Sequence, residues 1–161
     1  MPLPVLVRSA LFGVATGARS QLATAALAAV LARDGEVGAD SSIGARAARL
    51  IVTRRGRTAL ALGAVGELIG DKLPNAPSRL HVPGLTVRLV MSTAGAAVLA
   101  ERSGAPPRTS ALVGGLAALA TSIAGARFRG AASRRLGRDW PGALSEDAAA
   151  GLLTVVSVRG L

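Results

Sequence analysis

The chain has 161 residues, half of them hydrophobic, and a formal net charge of +10, yet it contains only two Phe, one Trp and no Tyr. A water-excluding core would have to be built almost wholly from Ala, Val and Leu, which bury little area per residue, whereas helices in a bilayer associate through close approach at small residues. The absence of Cys excludes disulfides, iron–sulfur clusters and thiolate zinc sites, and a single histidine, His81, excludes a multi-histidine metal centre. No cofactor is therefore expected. Most of the positive charge is arginine, expected in loops between apolar runs and without the aromatic or polar readout residues of a nucleic-acid interface, so the expected partners are a lipid bilayer and its anionic headgroups and not nucleic acid.

In chain order, the first apolar run extends from Ser9 to Ala32 and carries one internal charge, Arg19. At about 1.5 Å per residue it is long enough for a hydrocarbon core of about 30 Å, and its length and internal arginine argue against a cleaved signal sequence. Arg33 to Ala39 reads as a loop. Asp40, Ser41 and Ser42 then offer capping side chains to Ile43–Val52, a short basic amphipathic helix suited to the membrane interface. Thr58–Ile69 is apolar except for Glu67 and is followed by Asp71 and Lys72. It crosses a membrane only if Arg54, Arg55 and Arg57 snorkel at one end and neighbouring helices shelter the acids. Pro74 and Pro77 close this helix.

The second half opens with Leu85–Ala100, which contains Arg88, and restarts at Pro106-Pro107. Thr109–Ala126 is the clearest spanning candidate, 18 residues without a charge. Asp139–Pro141 reads as a turn, Ser145 as a helix N-cap, and Ala148–Val158 as a short final helix. Four membrane-embedded helices are expected, with two further short ones.

The two halves echo one another at an offset of about eighty residues. Arg8 recurs as Arg88, Ser42-Ile43-Gly44-Ala45-Arg46 as Ser122-Ile123-Ala124-Gly125-Ala126-Arg127, and Thr53-Arg54-Arg55-Gly56-Arg57 as Ser133-Arg134-Arg135-Leu136-Gly137-Arg138. Each half then places acid a short way on, at Glu67 and at Glu146-Asp147. The expected architecture is all-α: one polytopic membrane helix bundle over residues 1–161, built from a first repeat, 1–80, and a second, 81–161, with short or broken helices. An odd number of crossings per half makes the repeat inverted, as in many transporters. The positive-inside tendency instead wants both arginine clusters on one side, which favours a parallel repeat. The sequence leaves both arrangements open.

Arg19, Glu67 and Arg88 lie in or beside apolar runs, where a charge costs about 2.5–3.5 kcal/mol at mid-helix unless paired or hydrated. Glu67 and Asp71 share a helix face, with Gly66 and Gly70 forming a GxxxG beside them. Gly13 and Gly17 form a second GxxxG just before Arg19. Packing of one glycine face on the other brings Arg19 to Glu67, an expected buried ion pair.

The stretch Gly66-Glu67-Leu68-Ile69-Gly70-Asp71-Lys72-Leu73-Pro74, with Gly17-Ala18-Arg19-Ser20 before it and Ser145-Glu146-Asp147 after it, resembles the bacterial membrane-protein family catalogued as domain of unknown function 4126. The resemblance covers nearly the whole chain and rests on the order and spacing of short motifs. It implies a bacterial inner-membrane location and marks Arg19, Glu67, Asp71, Lys72, Pro74, Glu146 and Asp147. The chain departs from the family pattern by ending soon after Val158.

Three function classes follow, and the weakest is a membrane enzyme: acids with a lone lysine could do acid–base work, but no nucleophile with a base, phosphate loop or metal-ligand set is visible, so no enzyme is expected. Another is a small transporter or channel in which Arg19, Glu67, Asp71, Lys72, Glu146 and Asp147 bind a substrate or ion at the repeat interface. The third is a structural or interaction protein whose buried charges only pair helices, assembled as a homo-oligomer through its small-residue faces.

Overall fold

The structure, a computed structural model, describes residues 3–35, 42–70, 81–136 and 140–159; for residues 43, 129–136, 140–144 and 146 the description extends to the backbone only. The described residues form seven helices and no strand: α1 Val5–Ala18, α2 Leu22–Asp34, α3 Ile43–Val52, α4 Arg54–Gly70, α5 Val82–Arg102, α6 Pro107–Leu136 and α7 Trp140–Val158. Two of them, Val82–Arg102 and the Pro107–Phe128 part of α6, are long and apolar enough to cross a membrane.

The helix boundaries have local causes. Ser42 caps α3 by accepting from the Ala45 amide at 3.1 Å. Thr53 separates α3 from α4 with one hydroxyl, which donates to the Leu50 carbonyl at 2.9 Å and accepts from the Gly56 amide at 2.9 Å. Gly104, at φ +65°, turns the chain out of α5 while the Ala105 amide reaches back to the Ala100 carbonyl at 2.8 Å.

Three expectations are corrected here. The Ser9–Ala32 run is two helices and not one continuous span: Arg19 takes an extended conformation, φ −139° and ψ 102°, and ends α1. Ser145 lies inside α7 and is not its N-cap, because the helix already begins at Trp140, where Pro141 needs no amide partner. The arginine clusters are helical and not in loops, with Arg46 and Arg49 on α3, Arg54, Arg55 and Arg57 at the start of α4, and Arg127, Arg129, Arg134 and Arg135 on α6.

At the centre α1 packs on α5, α6 and α7. Gly13 lies against Gly114 and Ala117, and Gly17 against Ala118 and Thr121, so α1 and α6 run parallel. A Cβ on Gly17 would sit 2.6 Å from the Ala118 carbonyl oxygen, an approach only glycine permits. The short link from Arg102 to Pro107 folds α6 back along α5, with Gly114 meeting Ser92 and Ala96 and Gly115 meeting Thr93, so α5 runs antiparallel to α6 and therefore to α1, whose Phe12 sits on Gly95. Phe12, Ala15, Ala23, Leu27, Leu31, Ala48, Val98, Leu99 and Val158 form the apolar core. Buried beside them are Arg8, Ser9, Thr16, Arg19, Thr24, Arg88, Ser92, Ser110, Ser122, Thr154 and Ser157, whereas large aliphatic side chains point outward, among them Leu62 at 68%, Leu112 at 67% and Leu152 at 70% exposure. Charged groups are almost never buried in a folded chain unless paired, and Arg19 and Arg88 are each paired with a carboxylate.

Candidate functional site

The break between α1 and α2 organises the site. In an uninterrupted helix the Ser20 and Gln21 amides would donate to carbonyls four residues back; with Arg19 extended, the last bond of α1 is from the Arg19 amide to the Ala15 carbonyl at 2.8 Å. Side chains from other helices take the released groups. The buried Ser122 hydroxyl of α6 donates to the Gly17 carbonyl at 3.4 Å. Glu67 of α4 accepts from the Ser20 amide at 3.1 Å, from the Ser20 hydroxyl at 3.0 Å and from the Gln21 amide at 3.3 Å. Its Oε1 also accepts from Arg88 Nη2 of α5 at 3.1 Å. The carboxylate thus sits at the N-terminal end of α2, where exposed amides and the helix dipole favour negative charge.

On the other side of the break, Arg19 is 1% exposed and clasps Asp147 of α7 through Nε and Nη2, both directed at Oδ1. Two acids therefore converge on Arg19-Ser20-Gln21, Glu67 of α4 paired with Arg88 of α5 and Asp147 of α7 paired with Arg19 of the break itself. Arg8, some 16 Å back along α1 by helical rise, donates from Nε to the Ser157 carbonyl at 3.0 Å.

This overturns the expected Arg19–Glu67 pair. The glycine faces of α1 and α4 do not pack together: Gly13 and Gly17 are spent on α6, while Gly66 and Gly70 have nothing within 4 Å on the side where a Cβ would project. Arg19 consequently turns to α7, and Glu67 takes the break itself and Arg88. Of the residues singled out from the sequence, Arg19, Glu67 and Asp147 meet at one centre. Asp71, Lys72 and Pro74 lie outside the described residues, and Glu146 is described by its backbone only, within α7. Sequence reasoning left Ser20, Gln21 and Ser122 unmarked. Arg88 carried a signal, a lone charge in an apolar run, but the polar residues gained their roles only when the helix opened beside them.

Among the described residues no group of three or more His, Cys, Asp or Glu comes together to hold a metal. An open hollow of about 340 Å³ lies between α6 and α7, lined among the described residues by Thr121, Ala124, Gly125, Phe128, Ser145 and Ala149.

Fold and site together define a class: an all-helical bundle with outward aliphatic side chains and two arginine–carboxylate pairs closing a broken helix. The chain matches no family model, no curated protein and no solved structure.

Proposed function

We propose that this chain is a multi-pass integral membrane protein of the bacterial inner membrane, a small transporter or channel whose working centre is the α1–α2 break with Arg19, Glu67, Arg88 and Asp147. The observation that carries this is the break itself, a discontinuous helix whose freed amides and neighbouring arginine meet carboxylates inside a bundle with an aliphatic exterior. Charges at membrane depth are costly and persist mainly where they face one another or a pathway, and discontinuous helices are where many transporters hold substrates and ions. The antiparallel course of α1 and α5, which open the two halves, supports an inverted duplication. The family resemblance supports the same reading, since Arg19, Glu67 and Asp147 are among the residues it marks. Arg54, Arg55 and Arg57 contact anionic headgroups, and the centre carries out no covalent chemistry.

The test is reconstitution of wild type and Glu67→Gln in vesicles. Transport predicts that the variant is inserted and folded, with flux of the candidate solute lost.

A second reading has its own observation: both oxygens of Glu67 are engaged and Asp147 is held by Arg19, as expected of pairs that only fasten helices. On that reading the protein is a membrane scaffold, with a second copy covering the open Gly66–Gly70 face. Glu67→Gln then lowers yield or assembly, and simultaneous Arg88→Gln restores it because Arg88 is the ion-pair partner.

A further inference from the structure

We infer that the end of the bundle where α1 and α6 begin and α7 finishes holds a phosphate group on Arg8, supplied by the headgroup of a phospholipid. Arg8 lies in the first turn of α1 and is 5% exposed. Among the described residues its polar partner is the Ser157 carbonyl, which accepts from Nε, and its buried Nη2 has none. A carbonyl in the last turn of α7 shares in only about half an elementary charge, so a guanidinium held in a poorly solvated place lacks a full counter-charge. Water can satisfy its hydrogen bonds but not its charge, whereas an oxyanion satisfies both.

Two further observations point to the same ligand. The first is a set of hydroxyls. The register that seats Gly13 on Gly114 and Gly17 on Ala118 places Ser9, next to Arg8, opposite Ser110 of α6 one turn nearer the end of the bundle. Both serines are fully buried and neither hydroxyl has a hydrogen-bond partner, nor has the buried hydroxyl of Thr154, one turn from Ser157 on α7. A guanidinium offers donors only, and hydroxyls in the same layer can donate beside it, a set that suits a tetrahedral oxyanion and repels a cation. The second is the echo between the halves. Arg88, to which Arg8 corresponds at an offset of eighty, meets the Glu67 carboxylate, whereas Arg8 has no carboxylate partner among the described residues, so a ligand supplies its anion. Leu3, Leu6 and Val7 are exposed around the same stretch of α1 and suit acyl chains, which makes the source a lipid whose phosphate lies at the bundle end.

This rests on the proposed function only in taking the chain as a membrane protein. The test is thermal unfolding in mild detergent, titrated separately with dioleoyl phosphatidylglycerol, with inorganic phosphate and with dioleoylglycerol, which keeps the acyl chains and lacks the phosphate. The phospholipid is expected to raise Tm by several degrees in a saturable manner, and dioleoylglycerol is not. Arg8→Gln, whose amide can still donate to the Ser157 carbonyl, loses the saturable shift. Ser110→Ala keeps the cation and removes one donor, which raises the half-saturating phospholipid concentration about tenfold, the worth of one hydrogen bond to a charged group. Arg54→Gln/Arg55→Gln/Arg57→Gln retains the shift, which separates the site from general attraction of anionic lipid to a basic surface. If Arg8→Gln does not fold, Ser9→Ala and Ser110→Ala carry the comparison, and unchanged half-saturation in both overturns the site. A saturable shift with inorganic phosphate and none with the phospholipid keeps the phosphate site and overturns its lipid source. No saturable shift with either, or an undiminished shift in Arg8→Gln, overturns the site. Release of the protein from membranes by salt or alkali instead removes the membrane reading, and the inorganic phosphate titration still decides the site.

Discussion

At Arg19 a guanidinium that is 1% exposed has exchanged water for protein partners, Asp147 among them. Removing one partner of such a pair leaves an uncompensated charge in a poorly solvated place, which costs about 3–5 kcal/mol, whereas replacing both with apolar groups of similar volume is often neutral. Asp147→Asn is therefore expected to destabilise the protein by about 3–5 kcal/mol. The double change Arg19→Met/Asp147→Leu should recover most of the loss, read from unfolding in mild detergent. A double variant no more stable than Asp147→Asn would show that the pair does not act as a unit. The charged residues themselves were legible in the sequence, because a lone Arg19 or Glu67 in an apolar run stands out. Their partners were not, since an ion pair between helices depends on which faces meet, and Arg19 reaches Asp147 across 128 positions of sequence.

The two GxxxG motifs show the same limit for whole helices. Both have the residue pattern of a close helix contact, but only Gly13 and Gly17 make one, against Gly114, Ala117 and Ala118 of α6. Leucine at Gly17 must push aside the α6 backbone. Gly17→Leu is thus expected to cost about 3 kcal/mol, the upper range for overpacking, with loss of the folded bundle on size exclusion. Gly66→Leu meets open space and should leave the fold of the single chain intact. If a second copy covers that face, Gly66→Leu instead lowers the oligomer without unfolding the protomer, so crosslinking of the two variants separates intrachain from interchain packing. The α1–α2 break was hidden in the sequence for a related reason. No proline or glycine pair marks it, and Arg19-Ser20-Gln21 would continue a helix if Glu67 and Ser122 were not placed to satisfy the amides and carbonyl that opening releases.

For the whole molecule, the large exposed aliphatic side chains and the buried arginines are the features that the proposed membrane setting explains. Leu62, Leu112, Leu116 and Leu152 are 66–70% exposed, and exposing them to water has no compensating gain. In the proposed membrane setting the protein remains in the membrane fraction after high-salt and alkaline extraction and leaves only with detergent. Single cysteines introduced at Leu112 or Leu152 of this Cys-free chain react with lipid-soluble but not charged maleimides. Release by salt or alkali, or ready labelling by charged reagents at both positions, contradicts a membrane exterior.

The sequence by itself determined the helical class, the small-residue packing, the position of α3 and its Ser42 cap, the apolar stretches of α5 and α6, and which charges are out of place, because these follow from composition and local periodicity. Only the tertiary structure decided that the first apolar run breaks at Arg19, that α6 and not α4 receives the glycine face of α1, and that Glu67 and Asp147 converge on one break with crossed arginine partners. Those outcomes turn on long-range contacts that satisfy freed backbone groups and buried charges, a condition set by where several helices meet and not by any one of them.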